Sequence, residues 1–186
     1  MASKASIEGL YDEIARNRVR SESGRYFIQP SKVREIFTPA KIDHVVAKHI
    51  RDAHERVGLA KKIRQEGTIL FAILVWMKEV DSIVSFRNHE CFDDKLPVDE
   101  ARALEIVPTF GRAFAREYQW QFLPYLFKRD MCDYHRRIDQ VGMIFPFIGN
   151  VESVAEGGFG TVSKLTIPTS LQEFFHSEVR GGISRR

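Results

Sequence analysis

The stretch Ile69-Leu-Phe-Ala-Ile-Leu-Val-Trp-Met77 is the longest apolar run of the 186-residue chain. It is too short to cross a bilayer, which needs about 20 apolar residues. A buried helix explains it better, inside a helical pattern that extends from Leu59 to about Arg87 and is divided by Gly67. We therefore expect this run to form the centre of the hydrophobic core.

Three helices are expected on the N-terminal side of this run. The first has an apolar face made by Ile7, Leu10, Tyr11 and Ile14. The second begins at Ser31, a good capping residue, and continues through Phe37. The third begins at Thr38-Pro39 and ends at Gly58, with an apolar stripe of Ile42, Val45, Val46, Ile50, Ala53 and Val57.

On the C-terminal side, Leu96-Pro-Val-Asp-Glu100 predicts the start of a helix with acids in its first turn, and Pro108 ends it. An aromatic belt follows. Such a belt could line a ligand groove or a docking surface, but packing between helices is the favoured interpretation. Its members are Phe110, Phe114, Tyr118, Trp120, Phe122, Leu123, Tyr125, Leu126 and Phe127.

The predicted fold class is mainly α: a multi-helix domain followed by a short C-terminal β-hairpin. We divide the chain into an N-terminal helical segment (residues 1–36), a helical domain (37–148), a hairpin (149–170) and a tail (171–186). The hydrophobic content of 44% and the charged content of 28% are those of a soluble globular protein.

Composition also limits the expected partners and location. The net charge of +3 is mild, whereas a nucleic-acid-binding protein is expected to show a denser basic stripe. Cys91 and Cys132 do not form a CxxC pair, and residues 1–5 contain no apolar leader. We therefore expect a reduced, cytoplasmic protein without a membrane span. Its expected partner is another protein of unknown identity.

Two groups of polar residues are candidates for metal binding, and we expect neither to bind a metal. His44, His49 and His54 are spaced by five residues, so each side chain points about 140° further round the helix than the last. Asp93 and Asp94 lie in a predicted loop without further ligands, and we interpret them as solvated acids.

A glycine-rich stretch near the C-terminus, Val154-Ala-Glu-Gly-Gly-Phe-Gly-Thr-Val162, predicts a turn. The residues after Gly160 alternate with period two and are rich in β-branched side chains, as in a strand. Glycines also let backbone N–H groups approach an anion closely. The glycines alone are equally typical of an ordinary hairpin and of a phosphate-binding loop.

The whole stretch resembles the first hairpin of protein kinases, whose pattern is Gly-x-Gly-x-x-Gly-x-Val. Gly157, Gly160 and Val162 match this pattern, and Ala155 stands in place of the first glycine. From about Phe37 to Lys164, the order of features is similar to the N-terminal extension and first strands of a group of large filamentous-fungal protein kinases.

The resemblance implies a cofactor and a set of contact residues. Gly157, Gly158, Phe159 and Gly160 would cover the phosphates of ATP with its magnesium ion, and Val154 and Val162 would pack on the adenine. The parent family consists of ATP-dependent protein kinases of the Ser/Thr type.

The catalytic groups of that family are missing from the chain. No lysine follows Lys164, no Asp-Phe-Gly motif is present, and Arg137 stands where the His-Arg-Asp motif would have its aspartate. We therefore expect no catalytic residues and no phosphate transfer. The expected function is that of a regulatory or interaction region of a kinase-like protein. The alternative is a helical interaction module unrelated to ATP.

Overall fold

The computed structural model describes residues 6–50, 53–129, 142–157 and 160–174, with only the backbone described at 53–54, 150–153, 155–157 and 160–163. The helices and strands are α1 (Ile7–Asn17), β1 (Val19–Arg20), β2 (Tyr26–Phe27), α2 (Pro30–Ile36), α3 (Pro39–His49), α4 (Ala53–Glu66), α5 (Thr68–Met77), α6 (Ile83–Asn88), α7 (Glu100–Ile106), α8 (Gly111–Ala113), α9 (Gln119–Phe122), β3 (Ile148–Gly157) and β4 (Gly160–Thr166). A π-helical turn (Phe114–Tyr118) joins α8 to α9, and short 3-10 turns lie at Val80–Ser82, Asp93–Lys95 and Thr169–Leu171.

Helix α5 is the centre of the core, as the sequence predicts. Every residue from Ile69 to Val75 is buried, because α5 packs against α1, α2, α4 and α9 on different sides. A helix that is apolar all round has to be covered in this way. Gly67 separates α4 from α5, and a Cβ there would lie 2.6 Å from the Phe92 ring. The predicted division at this glycine is therefore confirmed.

Some of the helices begin at the residues that the local capping signals predict, and others do not. Asp99 caps α7 by accepting a 2.8 Å hydrogen bond from the Arg102 N–H, and Pro108 follows the end of that helix, as predicted. Helix α3 begins at Pro39 as expected, although the Thr38 side chain makes no capping hydrogen bond. The cap predicted at Ser31 is wrong, because Pro30 already occupies the first turn of α2.

The predicted helix end at Gly58 is also wrong. Helix α3 ends at His49, and Gly58 lies inside α4. The residues that follow it, Leu59, Ala60 and Ile63, are buried in the main core. This packing keeps the chain helical through a residue whose own preference is to stop a helix.

Gly58→Ala is expected to stabilise the protein by about 0.5–1 kcal/mol, because alanine lowers the backbone entropy of the unfolded chain and favours helix. No atom lies within 4 Å of the position that the new Cβ would occupy. Urea unfolding of the two proteins measures the difference. A loss of stability would place Gly58 outside a regular helix.

The N-terminal segment and the helical domain share one core. Leu10 and Ile14 of α1 and Val33 and Ile36 of α2 belong to the same buried cluster as α5. Buried residues on both sides of the boundary predicted at residue 36 therefore belong to one continuous core.

A smaller cluster lies beside the main core and contains Phe27, Trp120, Ile144 and Leu171. Ile148, the first residue of β3, and Ile167, which directly follows β4, lie at the base of the hairpin and pack against this cluster. The backbone of Phe127 bonds to Leu171 and Glu173, with N–O distances of 3.0 and 2.8 Å. Residues 171–174, which the sequence analysis assigns to a tail, are thus attached to the helical domain.

The mainly α fold class with a C-terminal β-hairpin is confirmed. The β-structure that the structure describes consists of two separate antiparallel pairs, β1 with β2 and β3 with β4. Among the described helices, none combines the length and the apolar character that crossing a membrane requires.

Candidate functional site

The glycine-rich stretch forms the end of the β3–β4 hairpin. Gly157, the last residue of β3, pairs with Gly160, the first residue of β4. Gly158 and Phe159 lie outside the described residues, so the contacts that the resemblance implies for them stay predictions. The paired strand ends Gly157 and Gly160 are the residues between which the sequence predicts a turn.

Strand β3 is irregular and longer than its partner. It contains 10 residues against 7 in β4, and the register shifts between Ile148 and Glu152 and again between Ser153 and Ala155. Gly149, at the first shift, has a φ of +78°, which a residue with a side chain rarely adopts. Such bulges increase the local twist and bend the strand.

The described side chains of the hairpin are solvent-exposed beyond its base. Val154 is 63% exposed and Leu165 43% exposed, and Lys164 and Thr166 are exposed as well. Val162, Gly157 and Gly160 are described by their backbone alone. Of the residues assigned to ATP, Val154 is therefore the one whose surroundings are visible, and its side chain faces solvent.

Asp93, interpreted from sequence as a solvated acid, caps the central helix. Its Oδ1 accepts the Leu70 N–H at 2.8 Å and its Oδ2 accepts the Ile69 N–H at 3.0 Å. Gly67, at the N-cap position of α5, has no side chain to do this. Asp94 is exposed and lies 3.1 Å from the Lys95 ammonium, so for this residue the solvated interpretation is confirmed.

Two opposing effects act on the pKa of Asp93. Burial raises it, and the hydrogen bonds from Ile69 and Leu70 lower it, with a net increase over the ordinary value. The native protein thus binds this proton more tightly than the unfolded chain does. The contribution of Asp93 to stability declines as the pH rises from the unfolded pKa, about 3.9, through the raised native pKa, and is constant above it.

Asp93→Ala is expected to cost about 1–3 kcal/mol at neutral pH, because two partly buried N–H groups of α5 lose their acceptor. The cost should be larger at acid pH and should decrease as the pH rises towards neutrality. Urea unfolding of both proteins at several pH values measures this difference. A cost that grows with pH would mean that the two hydrogen bonds outweigh burial.

Of the three candidate histidines, His44 and His49 have described side chains, and these two lie in different surroundings. His49 Nδ1 lies 2.7 Å from Asp81 Oδ1, while the buried Nε2 of His44 has no hydrogen-bond partner in the described chain. The side chain of His54 lies outside the described residues. Within those residues, no group of three or more His, Cys, Asp or Glu side chains is arranged to hold a metal ion.

The aromatic belt divides among three environments. Phe114 and Phe122 belong to the main core and Trp120 to the smaller cluster, which confirms the core interpretation for these residues. Tyr125 and Phe127 join a partly exposed group of rings whose centres are 4.8–6.5 Å apart, together with Phe145, Phe147 and Phe174.

A hydrogen-bond network around Gln119, which the sequence did not reveal, fixes the π-helical turn. The buried Gln119 amide donates to the carbonyl oxygens of Val98 and Ala115, and its oxygen accepts the Val98 N–H at 3.0 Å. The Trp120 indole N–H also donates to Ala115, at 2.9 Å. The wide π-helical turn leaves the Ala115 carbonyl oxygen free to accept these bonds. The Gln119 side chain also joins the aromatic belt to Val98, in the loop before α7.

Two open cavities lie on the helical domain. One of about 460 Å³ lies between α3 and α4, lined by Asp43, Val46, Ala47, Arg56, Val57, Ala60 and Arg64. The other, of about 600 Å³, lies between the start of α7 and α9, lined by Pro97, Val98, Asp99, Glu100, Ala115, Arg116 and Trp120. Both are lined by the helical domain and not by the hairpin.

No family model, curated protein or solved structure matches this chain. The kinase-like interpretation consequently depends on the residues of the glycine-rich stretch and on the hairpin that contains them.

Proposed function

We propose that the chain is a non-catalytic interaction region of a protein kinase-like protein: a helical domain that ends in the hairpin of a glycine-rich loop. The pairing of Gly157 with Gly160 supports this proposal, since the resemblance expects the tip of the loop between these two residues.

The interaction role is inferred from the exposed apolar side chains of the hairpin. Val154 and Leu165 are 63% and 43% exposed, and β3 and β4 pair only with each other in the part of the chain that the structure describes. Two isolated strands are marginally stable in water, and a third strand or a packed layer is needed to complete them. The hairpin is thus a two-stranded sheet that a partner could complete with a further strand or a packed layer.

We expect the same geometry to hold ATP only weakly. A nucleotide site needs concave walls that bury most of the ligand. Val154, which the resemblance places against the adenine, faces solvent instead. In the described part of the chain no further strand lies beside the hairpin, so the phosphates would meet backbone N–H groups while the base would lack a second wall.

Calorimetry with Mg-ATP tests this proposal. We expect no saturable binding at millimolar nucleotide, either by the wild type or by the Gly158→Ala/Gly160→Ala double variant. Saturable binding by the wild type that the double variant loses would show that the hairpin forms a nucleotide site by itself. That result would contradict the interaction role proposed here and leave the kinase resemblance standing.

A helical interaction module unrelated to ATP is the second candidate. The exposure of Val154 favours it, because an adenine-contacting residue would be expected to line a cleft. The two candidates differ in what completes the hairpin: further kinase-type strands in the first, and a separate partner protein in the second.

A further inference from the structure

A series of stacked side chains links α1, β2 and the end of α5. Tyr11 stacks on Trp76 with ring centres 4.3 Å apart, and the Lys78 ammonium lies 5.1 Å from the centre of Tyr11. The central guanidinium carbon of Arg18 lies 4.6 Å from the centre of a Trp76 ring and 4.8 Å from that of Tyr26. Two rings therefore fix the guanidinium of Arg18, a residue that directly follows α1.

Arg18 is unusual because its guanidinium has no acceptor. In the described part of the chain it makes no hydrogen bond and no ion pair, and its Nε is buried without a partner. Burial lowers its pKa, and the Tyr11 and Tyr26 hydroxyls are the groups that oppose this decrease, with no carboxylate among them. The two Nη groups are not among the buried unpartnered atoms, so they are the donors of Arg18 that an anion from solvent can reach.

Most other arginines of the described chain have acceptors, and the two that make no hydrogen bond or ion pair there, Arg20 and Arg34, are exposed. Arg16, two residues earlier, donates from Nε to the Asp12 carbonyl oxygen at 3.2 Å. Arg102 bonds to Glu105 at 2.6 Å and Arg87 to Glu55 at 2.5 Å. Arg18 combines a fixed orientation with unused donors, which distinguishes it from these ordinary surface pairs.

We propose that Arg18 is the centre of a binding site for an oxyanion of the carboxylate or phosphate class. A planar guanidinium binds both groups through two parallel hydrogen bonds. Because Trp76 and Tyr26 already restrict the side chain, binding costs little further conformational entropy. Tyr26 is 45% exposed and forms the open wall beside which the anion approaches.

The test uses the indole N–H signals of the two tryptophans in ¹⁵N NMR, assigned with Trp120→Phe. Inorganic phosphate and, separately, acetate are added at constant ionic strength. We expect a saturable shift of the Trp76 signal while the Trp120 signal stays in place. Arg18→Lys keeps the charge beside the rings but loses the planar fork, and should bind about tenfold more weakly. Arg16→Lys is the matched control and should bind as the wild type does.

Tighter binding of phosphate would identify a phosphate ligand, and tighter binding of acetate a carboxylate; either result supports the site. The proposal is overturned if the Trp76 shift does not saturate, or if Arg18→Lys titrates like the wild type. Unfolding curves establish that each variant is folded. If Arg18→Lys does not fold, Tyr26→Ser removes the outer ring instead, and unchanged binding by this variant would also overturn the proposal.

Discussion

Phe71→Ala is expected to destabilise the protein by about 3–5 kcal/mol, the range for removing a buried aromatic side chain. Phe71 lies in the middle of α5, is fully buried and meets the Phe37 ring edge-on with centres 6.0 Å apart. Loss of the ring leaves a cavity among helices that have no freedom to close it. The measurement is equilibrium unfolding in urea, followed by circular dichroism.

Val57→Ala is the control for this prediction. Val57 is 71% exposed on α4, so its truncation should change stability by less than about 0.5 kcal/mol. If Phe71→Ala cost no more than Val57→Ala, α5 would not be the centre of the core, and the arrangement of the helices described above would be wrong.

Gly111→Ala is expected to cost about 3 kcal/mol or more, the upper part of the range for overpacking. A Cβ at this position would lie 2.4 Å from the Ala103 carbonyl oxygen and 2.6 Å from the Leu104 nitrogen. Both atoms belong to the backbone of α7, so a rotamer change cannot relieve the contact. Thermal and urea unfolding measure the loss, with Gly58→Ala as the same chemical change at an open position.

A double variant sharpens this test. Ala103→Gly removes a side chain from α7 but leaves the carbonyl oxygen that the new Cβ would meet. It should therefore fail to restore the stability lost in Gly111→Ala. Recovery in the double variant would show that side-chain crowding, and not the close approach of two backbones, is the reason for the glycine.

Features encoded by neighbouring residues could be predicted from the sequence. The apolar run that forms α5, the break at Gly67 and the start of α7 within residues 96–100 all depend on residues a few positions apart. The hairpin is of the same kind, because its glycine turn and alternating strand are contiguous in the chain. Its relation to kinases stays a prediction.

Features that join distant residues could not be predicted. Asp93 accepts the N–H of Ile69, 24 residues earlier in the chain, and Gln119 bonds to Val98 across 21 residues. The sequence around Asp93 shows only two acids in a loop, and Gln119 is one polar residue within an aromatic stretch. The predicted helix end at Gly58 is wrong for a similar reason. Burial of the next turn of α4 outweighs the preference of glycine for ending a helix.

Replacing the hairpin shows whether the helical domain folds independently of it. Residues 151–164 are exchanged for a Gly-Gly turn, while Ile148, Ile167 and Leu171 are retained because they pack in the smaller cluster. Thermal unfolding of this variant should show one cooperative transition, with the midpoint of the full chain. A large decrease of the midpoint, or a loss of cooperativity, would show that the hairpin is part of the folded core and contradict the account.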